Sequence, residues 1–440
     1  MAGVWRKSRW PRARNHISRS NAEHLASRYG QDHQGLGLAK TSLKVIRTAV
    51  SALALAIVTV SVAPAAHAHD ASAYGGLFRS RNFGATWLNA DVGLFLNAAL
   101  TVAVDPRDPD HILMGTDTGL FSTTSGGRSW SPEAPGLISG AVFAIAFSPD
   151  GESAICAAPT GVFRFGEAHW IRAGLPDGAV PARQIGFGSA PDRVYLLGRK
   201  SLFISEDAGR SYRRLRDEAA GDAPILALAV VTTPRELLFA VVGGKLMMGE
   251  DGSRGWQHRD VGLGEPVDTV VHDAAMTDRL WAASADRIFV SDDLGLHWRQ
   301  IGRPLPEAAT NVRGIAADEA IATLVVTTHR GLYRSDNGGR SWILKENNLP
   351  AHLEAGPLAR GPREAHTLFA VFSLLPYPEV WRAALEGSNL LSRLDPVSIG
   401  GGCAFMVLLI IGAALFVRWL ERQRSAASSS SRPLSRGAHR

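Results

Sequence analysis

Ser335-Asp-Asn337-Gly-Gly339-Arg-Ser-Trp342 is the stretch that decides the fold, because the chain repeats it. The pattern is an apolar pair, then Ser, any residue, Asp or Asn, any residue, Gly, two residues and an aromatic. Two further copies keep it whole, Ser205-Glu-Asp207-Ala-Gly209-Arg-Ser-Tyr212 and Ser291-Asp-Asp293-Leu-Gly295-Leu-His-Trp298. Three are looser: Ser80-Arg-Asn82-Phe-Gly84-Ala-Thr-Trp87, Thr123-Thr-Ser125-Gly-Gly127-Arg-Ser-Trp130 and Gly249-Glu-Asp251-Gly-Ser253-Arg-Gly-Trp256. A seventh is worn down to Phe163-Arg-Phe-Gly166-Glu-Ala-His-Trp170. Their aromatics fall at 87, 130, 170, 212, 256, 298 and 342, spaced by 40 to 44 residues. So steady a period means stacked or radial units.

Upstream of every copy after the first lies the same punctuation. In the first full unit Leu100-Thr-Val-Ala-Val104 is followed by Asp105-Pro106-Arg-Asp-Pro109, then His111-Ile-Leu-Met114, then Gly119-Leu-Phe-Ser122. Short β-rich runs between Pro, Asp and Gly turns read as antiparallel strands, four to a unit. Four-stranded units at this period predict propeller blades. The first copy has no strands before it, whereas Gly356–Arg360 and His366–Phe372 follow the last copy with no box of their own. Pairing those C-terminal strands with the N-terminal outer pair predicts one composite blade and a closed, all-β, seven-bladed ring. Tyr377-Pro-Glu-Val-Trp-Arg-Ala-Ala384 could add a strand, which leaves a partial eighth blade open.

The repeat resembles the BNR or Asp-box found in sialidases, sortilin-type receptors, cellulose- and xyloglucan-active hydrolases and the photosystem II stability/assembly factor family. The resemblance runs over roughly residues 74–385 and rests on the seven copies. In that group the box is a folding device, and the residue types here suit one. Asn82, Asp207, Asp251, Asp293 and Asn337 can accept from their own turn's amides, and the glycine permits positive φ. Trp87, Trp130, Trp170, Tyr212, Trp256, Trp298 and Trp342 would pack on a neighbouring blade. A sialidase also needs an Arg-Ile-Pro motif, which the sequence lacks; Arg287-Ile288-Phe289 is the nearest string. The resemblance therefore implies a scaffold or assembly factor that binds an exported or membrane protein. A glycan-active hydrolase or glycan-binding domain is the alternative.

The 440 residues carry a formal charge of +6, and its placement excludes a nucleic-acid surface. Residues 1–47 hold ten Lys and Arg against Glu23 and Asp32, and residues 418–440 hold six Arg against Glu421. The ends thus take +8 and +5 of a +6 total, and the segment between them, where every repeat lies, is left with −7. After Lys44 and Arg47, the run Ala49–Val62 ends in Ala63-Pro-Ala-Ala-His-Ala68, which reads as a secretory signal cut after Ala68, with an uncleaved signal anchor as the competing reading. From Val397 to Val417 there is no charge, and 21 residues suffice to span a bilayer. Arg418, Trp419, Arg422 and Arg424 follow at once, the flank of a stop-transfer helix. The expected organisation is a leader and signal over 1–68, a propeller over 69–396, a transmembrane helix over 397–417 and a basic, Ser-rich tail over 418–440. That places the propeller outside the cell membrane and the tail in the cytoplasm.

Chemistry-bearing motifs are sparse. The only cysteines are Cys156, in an apolar alternating run, and Cys403, so no disulfide framework forms within the propeller. The 14 histidines show no ligand spacing, and neither a metal nor a cofactor is expected. One constellation stands out when the innermost strands are aligned by their apolar pairs. Leu100, Phe143, Arg183, Leu226, Asp268 and Arg313 then share a register at the start of the strand, which in a propeller lies near one mouth of the central channel. Arg183 and Arg313 there could hold a carboxylate or a peptide terminus, with Asp268 setting orientation. The plainer alternative is a set of solvated rim residues paired with one another.

Overall fold

The computed structural model describes residues 75–386, apart from 216–222, 233–234, 251–253, 264–265, 273–277, 309, 319, 321 and 351, together with 415, 416, 418 and 419. The leader and signal, Asp251, and all but those few residues of the expected membrane helix and tail lie outside the described residues. Among the described residues no helix is long and apolar enough to cross a membrane.

Seven four-stranded antiparallel sheets follow one another along the chain, and they are the blades of a propeller. Blades I to VI are sequential, spanning 99–132, 144–172, 184–214, 225–258, 269–301 and 312–344. Blade VII is composite: the C-terminal strands Glu354–Arg360 and Leu368–Ser373 form its inner pair, and the N-terminal strands Gly76–Ser80 and Leu88–Asn89 its outer pair. Gly76 lies opposite Phe372 and Ser80 opposite Leu368, so five residue pairs clasp the two ends of the ring. Neither end is left as a bare sheet edge.

Burial within a blade follows strand order. The second strands, such as Ile112–Thr116, Leu237–Val242 and Leu368–Ser373, are buried at every residue. Both their faces meet neighbouring blades, so they are mostly apolar along their length. The fourth strands are short and open: Leu88–Asn89, Ser131–Pro132 and Arg213–Arg214 have two exposed residues each. Short polar edges do not recruit further strands. The core is therefore a series of layers between blades. One layer joins Phe239 and Val241 of blade IV to Leu280, Phe289 and Trp298 of blade V. Cys156 is fully buried in the layer between blades I and II, and burial pushes its thiol pKa up.

Tyr377–Glu386 is a helix, α1, and not the extra strand that its position after blade VII allowed. Pro378 and Glu379 suit a first helical turn, and Pro376 O accepts from both Glu379 N and Val380 N. Tyr377, Val380, Trp381 and Ala384 recur at i, i+3, i+4 and i+7, the period of a helix face.

Candidate functional site

Five of the repeated turns carry one hydrogen-bond pattern. In blade III Ser205 Oγ donates to Asp207 Oδ1 at 2.7 Å and accepts from Gly209 N at 2.8 Å. Asp207 Oδ1 accepts from Ser211 N at 2.9 Å, and Oδ2 accepts from Ser211 Oγ at 2.6 Å. The same geometry recurs at Ser80, Asn82, Gly84 and Thr86, at Thr123, Ser125, Gly127 and Ser129, and at Ser335, Asn337, Gly339 and Ser341. In blade V, His297 stands where the others have Ser or Thr, its Nδ1 2.7 Å from Asp293 Oδ2. Partial burial pushes the Asp293 carboxyl up, but bonds from His297 and Ser291 outweigh it and hold the pKa at about 2. This seventh position of the turn, Ser, Thr or His, is a bonding partner that the sequence pattern had left as any residue.

Each turn also passes through the left-handed region twice, at Ala208 and Gly209 (φ 60° and 82°) in blade III. The glycine lies against the preceding blade: a Cβ on Gly209 would sit 2.6 Å from Ile155 Cδ1. The closing aromatic faces the same way. Trp298 Nε1 donates to Arg259 O, Trp342 Nε1 to Arg303 O and Trp130 Nε1 to Ala90 O, each in the segment just after the preceding blade. Trp170 Nε1 donates to Glu133 Oε2, and Trp87, Tyr212 and Trp256 join layers shared with the preceding blade. Blade II, whose copy is worn, closes instead through Glu167 and Ala168 (φ 56° and 67°), a two-residue hairpin of the primed type. The turns thus bolt blade to blade, away from the channel.

The channel mouth is a different kind of surface. Leu100, Phe143, Arg183, Leu226, Asp268 and Arg313 all line one cavity of about 380 Å³, as their shared register predicts. It overlaps a cavity of about 390 Å³ lined by all seven innermost strands. Two local devices aim these side chains inward. Leu100, Leu226 and Arg313 each fall at a β-bulge, where an extra residue re-aims a side chain. Arg183 and Asp268 sit one residue before their strands, held by N–H bonds to Leu197 O and Ala283 O.

The three polar residues gather at this mouth but do not pair with one another. Asp268 Oδ2 accepts from Ala285 N at 2.6 Å, holding a turn of its own blade. Arg313 Nη2 lies 2.7 Å from Glu354 Oε2, an ion pair whose side chains are 16% and 18% exposed. Arg183 has no acidic partner among the described residues, its buried Nε lacks a hydrogen bond, and burial lowers its pKa. Helix α1 supplies what the register could not foretell. Tyr377 lies under the Arg313 guanidinium, 4.1 Å from ring centroid to Cζ, and Trp381 under Arg183 at 4.4 Å. Phe143 meets the Trp381 ring edge-on at 5.1 Å. Glu354 Oε2 accepts from Tyr377 N, and Tyr377 Oη donates to Leu100 O at 2.6 Å. Among the described residues no cluster of His, Cys, Asp and Glu could hold a metal ion.

No protein-family model matches the chain, and no curated protein does. Solved structures do. YCF48 bound to D1 peptide aligns at 17% identity over 63% of this chain and 93% of that one, with a TM-score of 0.47. YCF48 from Cyanidioschyzon merolae gives 14% identity, 66% and 98% coverage and a TM-score of 0.49. The β-propeller domain of Myceliophteria thermophila Cps50 (Swd1) gives 13%, 64% and 98%, and 0.47. These are likenesses of fold, between chains of which little sequence is shared.

Proposed function

We propose that this protein is a membrane-tethered extracytoplasmic propeller of the Asp-box type that captures a protein partner at the channel mouth, as a scaffold or assembly factor does. The observation that carries the reading is Arg183, a guanidinium facing a cavity of about 380 Å³ with no acidic partner among the described residues. A half-buried cation left without a counter-ion favours an anionic group from outside. A carboxylate of a peptide segment, at its terminus or on Asp or Glu, has the geometry for a two-pronged bond. Arg313 is already committed to Glu354, so it orients the site more than it binds.

Topology supports a partner at the membrane. Gly76 lies opposite Phe372, and α1 follows the strand that ends at Ser373, so the chain joins the ring beside this mouth at both ends. An anchor at 397–417 would hold the mouth toward the bilayer. A glycan-active site is less well supported, because the aromatics here, Tyr377 and Trp381, lie under guanidinium groups and do not form an open sugar platform.

Two measurements test the reading. Capture of a partner from native membranes should fall with rising salt and should fall again with Arg183→Ala, since exposed charge contacts reach less than about 8 Å above physiological ionic strength. Salt-insensitive capture that the variant leaves unchanged would overturn it. Protease added to intact cells should remove the propeller, and a fully protected propeller would overturn the topology.

A further inference from the structure

We infer that the channel mouth is a receptor for a short helix carrying two aromatic residues four positions apart, and that α1 is its exchangeable resident. The inference deepens the capture site proposed above by naming the form of its ligand. The argument begins with how α1 is attached. It bridges the mouth from blades VI, VII and I, which hold Tyr377 through Arg313, Glu354 and Leu100, to blades II and III, which hold Trp381 through Phe143 and Arg183. Arg199 of blade III donates to Leu385 O and caps its far end. Five blades thus converge on ten residues.

The ring does not need this helix in order to close. Seven separate apolar layers join the blades, and α1 belongs to none of them. It sits on a satellite cluster in which Val380 and Ala384 meet Ala98, Leu100, Ala141 and Phe143. A ten-residue helix is not stable alone in water, so α1 is helical because it is docked. Having no share in the layers marks an element that opens without unfolding the ring. The two contacts that define it are aromatic faces under guanidinium groups, at i and i+4. A partner helix with the same pair would satisfy the same arginines, and it would have to displace α1, whose tether keeps it at high effective concentration.

The test uses the full chain and a labelled peptide of residues 374–386. The Tyr377→Ala/Trp381→Ala chain, with its mouth emptied, should bind that peptide saturably and at least tenfold more tightly than the wild-type chain does. A peptide with both aromatics changed to Ala should not bind, and adding Arg183→Ala to the emptied chain should weaken binding. Equal binding to wild-type and emptied chains, or none to a folded emptied chain, would overturn the inference. Hydrogen exchange on the wild-type chain needs no variant: amides of α1 should exchange well before those of the second strands. Exchange of α1 only with global unfolding would equally overturn it. If Arg183→Ala abolishes partner capture while the peptide fails, the capture site stands and the helix receptor falls; peptide binding with Arg183-independent capture gives the reverse.

Discussion

The repeated turns and the inner-strand positions at the channel mouth both recur from blade to blade, yet they differ in what they hold. At the turns, Ser, Asp or Asn, Gly and an aromatic are fixed by the turn and by the preceding blade, so their chemistry is spent inside the fold. At the mouth the same register is filled by Leu, Phe, Arg, Leu, Asp and Arg, a set that no backbone requirement explains. Repetition with fixed residues marks a structural part, and repetition of position with varied residues marks a surface free to take on a function. Variants at the two places should therefore separate stability from binding.

The largest effect is expected at the bolts. Trp298 is 8% exposed, packs in the layer between blades IV and V and donates to Arg259 O, so Trp298→Ala should cost about 3–5 kcal/mol. The fall should be read as a lower melting temperature, with the peptide affinity of any chain that remains folded unchanged. Affinity lost without a fall in melting temperature would break the division between turns and mouth. Next comes a pair of neighbours. Gly209→Ala places a Cβ at φ 82° and 2.6 Å from Ile155 Cδ1, and should destabilise by about 1–3 kcal/mol. Ala208→Gly, at φ 60°, relieves a strained residue and should be neutral to within about 1 kcal/mol. Equal losses at both positions would show that contact with blade II does not set the glycine's role.

A smaller effect separates the two arginines. Arg313→Ala leaves the half-buried Glu354 without its cation and should lower the melting temperature, whereas Arg183→Ala removes a guanidinium with no counter-ion and should change it little. Arg313, mostly buried and paired with Glu354, is thus not a solvated rim charge.

The ring was legible because its cause is local and repeated. Each turn writes Ser, Asp and Gly into the sequence at fixed spacing, and seven copies give the blade count and the composite closure. The mouth was legible in part for the same reason: aligned strands place Arg183, Asp268 and Arg313 at one level, whatever their distance along the chain. What each residue does there was not legible. Glu354 lies two residues before the bulge at Gly356 and Pro357, outside the aligned register, so Arg313 had no visible partner. Helix α1 was misjudged as a possible further strand after blade VII, although Tyr377, Val380, Trp381 and Ala384 already spelled a helical face. Only docking decides between the two, and docking depends on residues nearly 300 positions away, such as Leu100.

The smallest effect is one of pH, and the chain contains its own control. Asn82 and Asn337 occupy the turn position that Asp207 and Asp293 hold elsewhere; they keep the backbone bond from the following Ser or Thr but reverse the side-chain bond, the amide Nδ2 donating to the hydroxyl. An amide does not titrate, but the carboxyls do. Asp293 is held at about 2, and Asp207 is also lowered: burial pushes it up, but bonds from Ser211 and Ser205 outweigh that. A carboxyl with a lowered folded pKa contributes stability that is present above its unfolded value, about 4, and is lost as pH falls toward 2. Burial raises the carboxyls of Asp91 and Asp117, and their contribution runs the other way, falling as pH rises above about 4. Asp207→Asn with Asp293→Asn should therefore leave stability at pH 7 nearly unchanged and flatten its decline between about pH 4 and pH 2. The change will be modest, because the Asp293 side chain is 38% exposed and solvent screens it. Urea unfolding at a series of pH values measures the slope. An unaltered slope in the double variant would assign acid sensitivity to other carboxyls and leave the Asp and Asn turns equivalent.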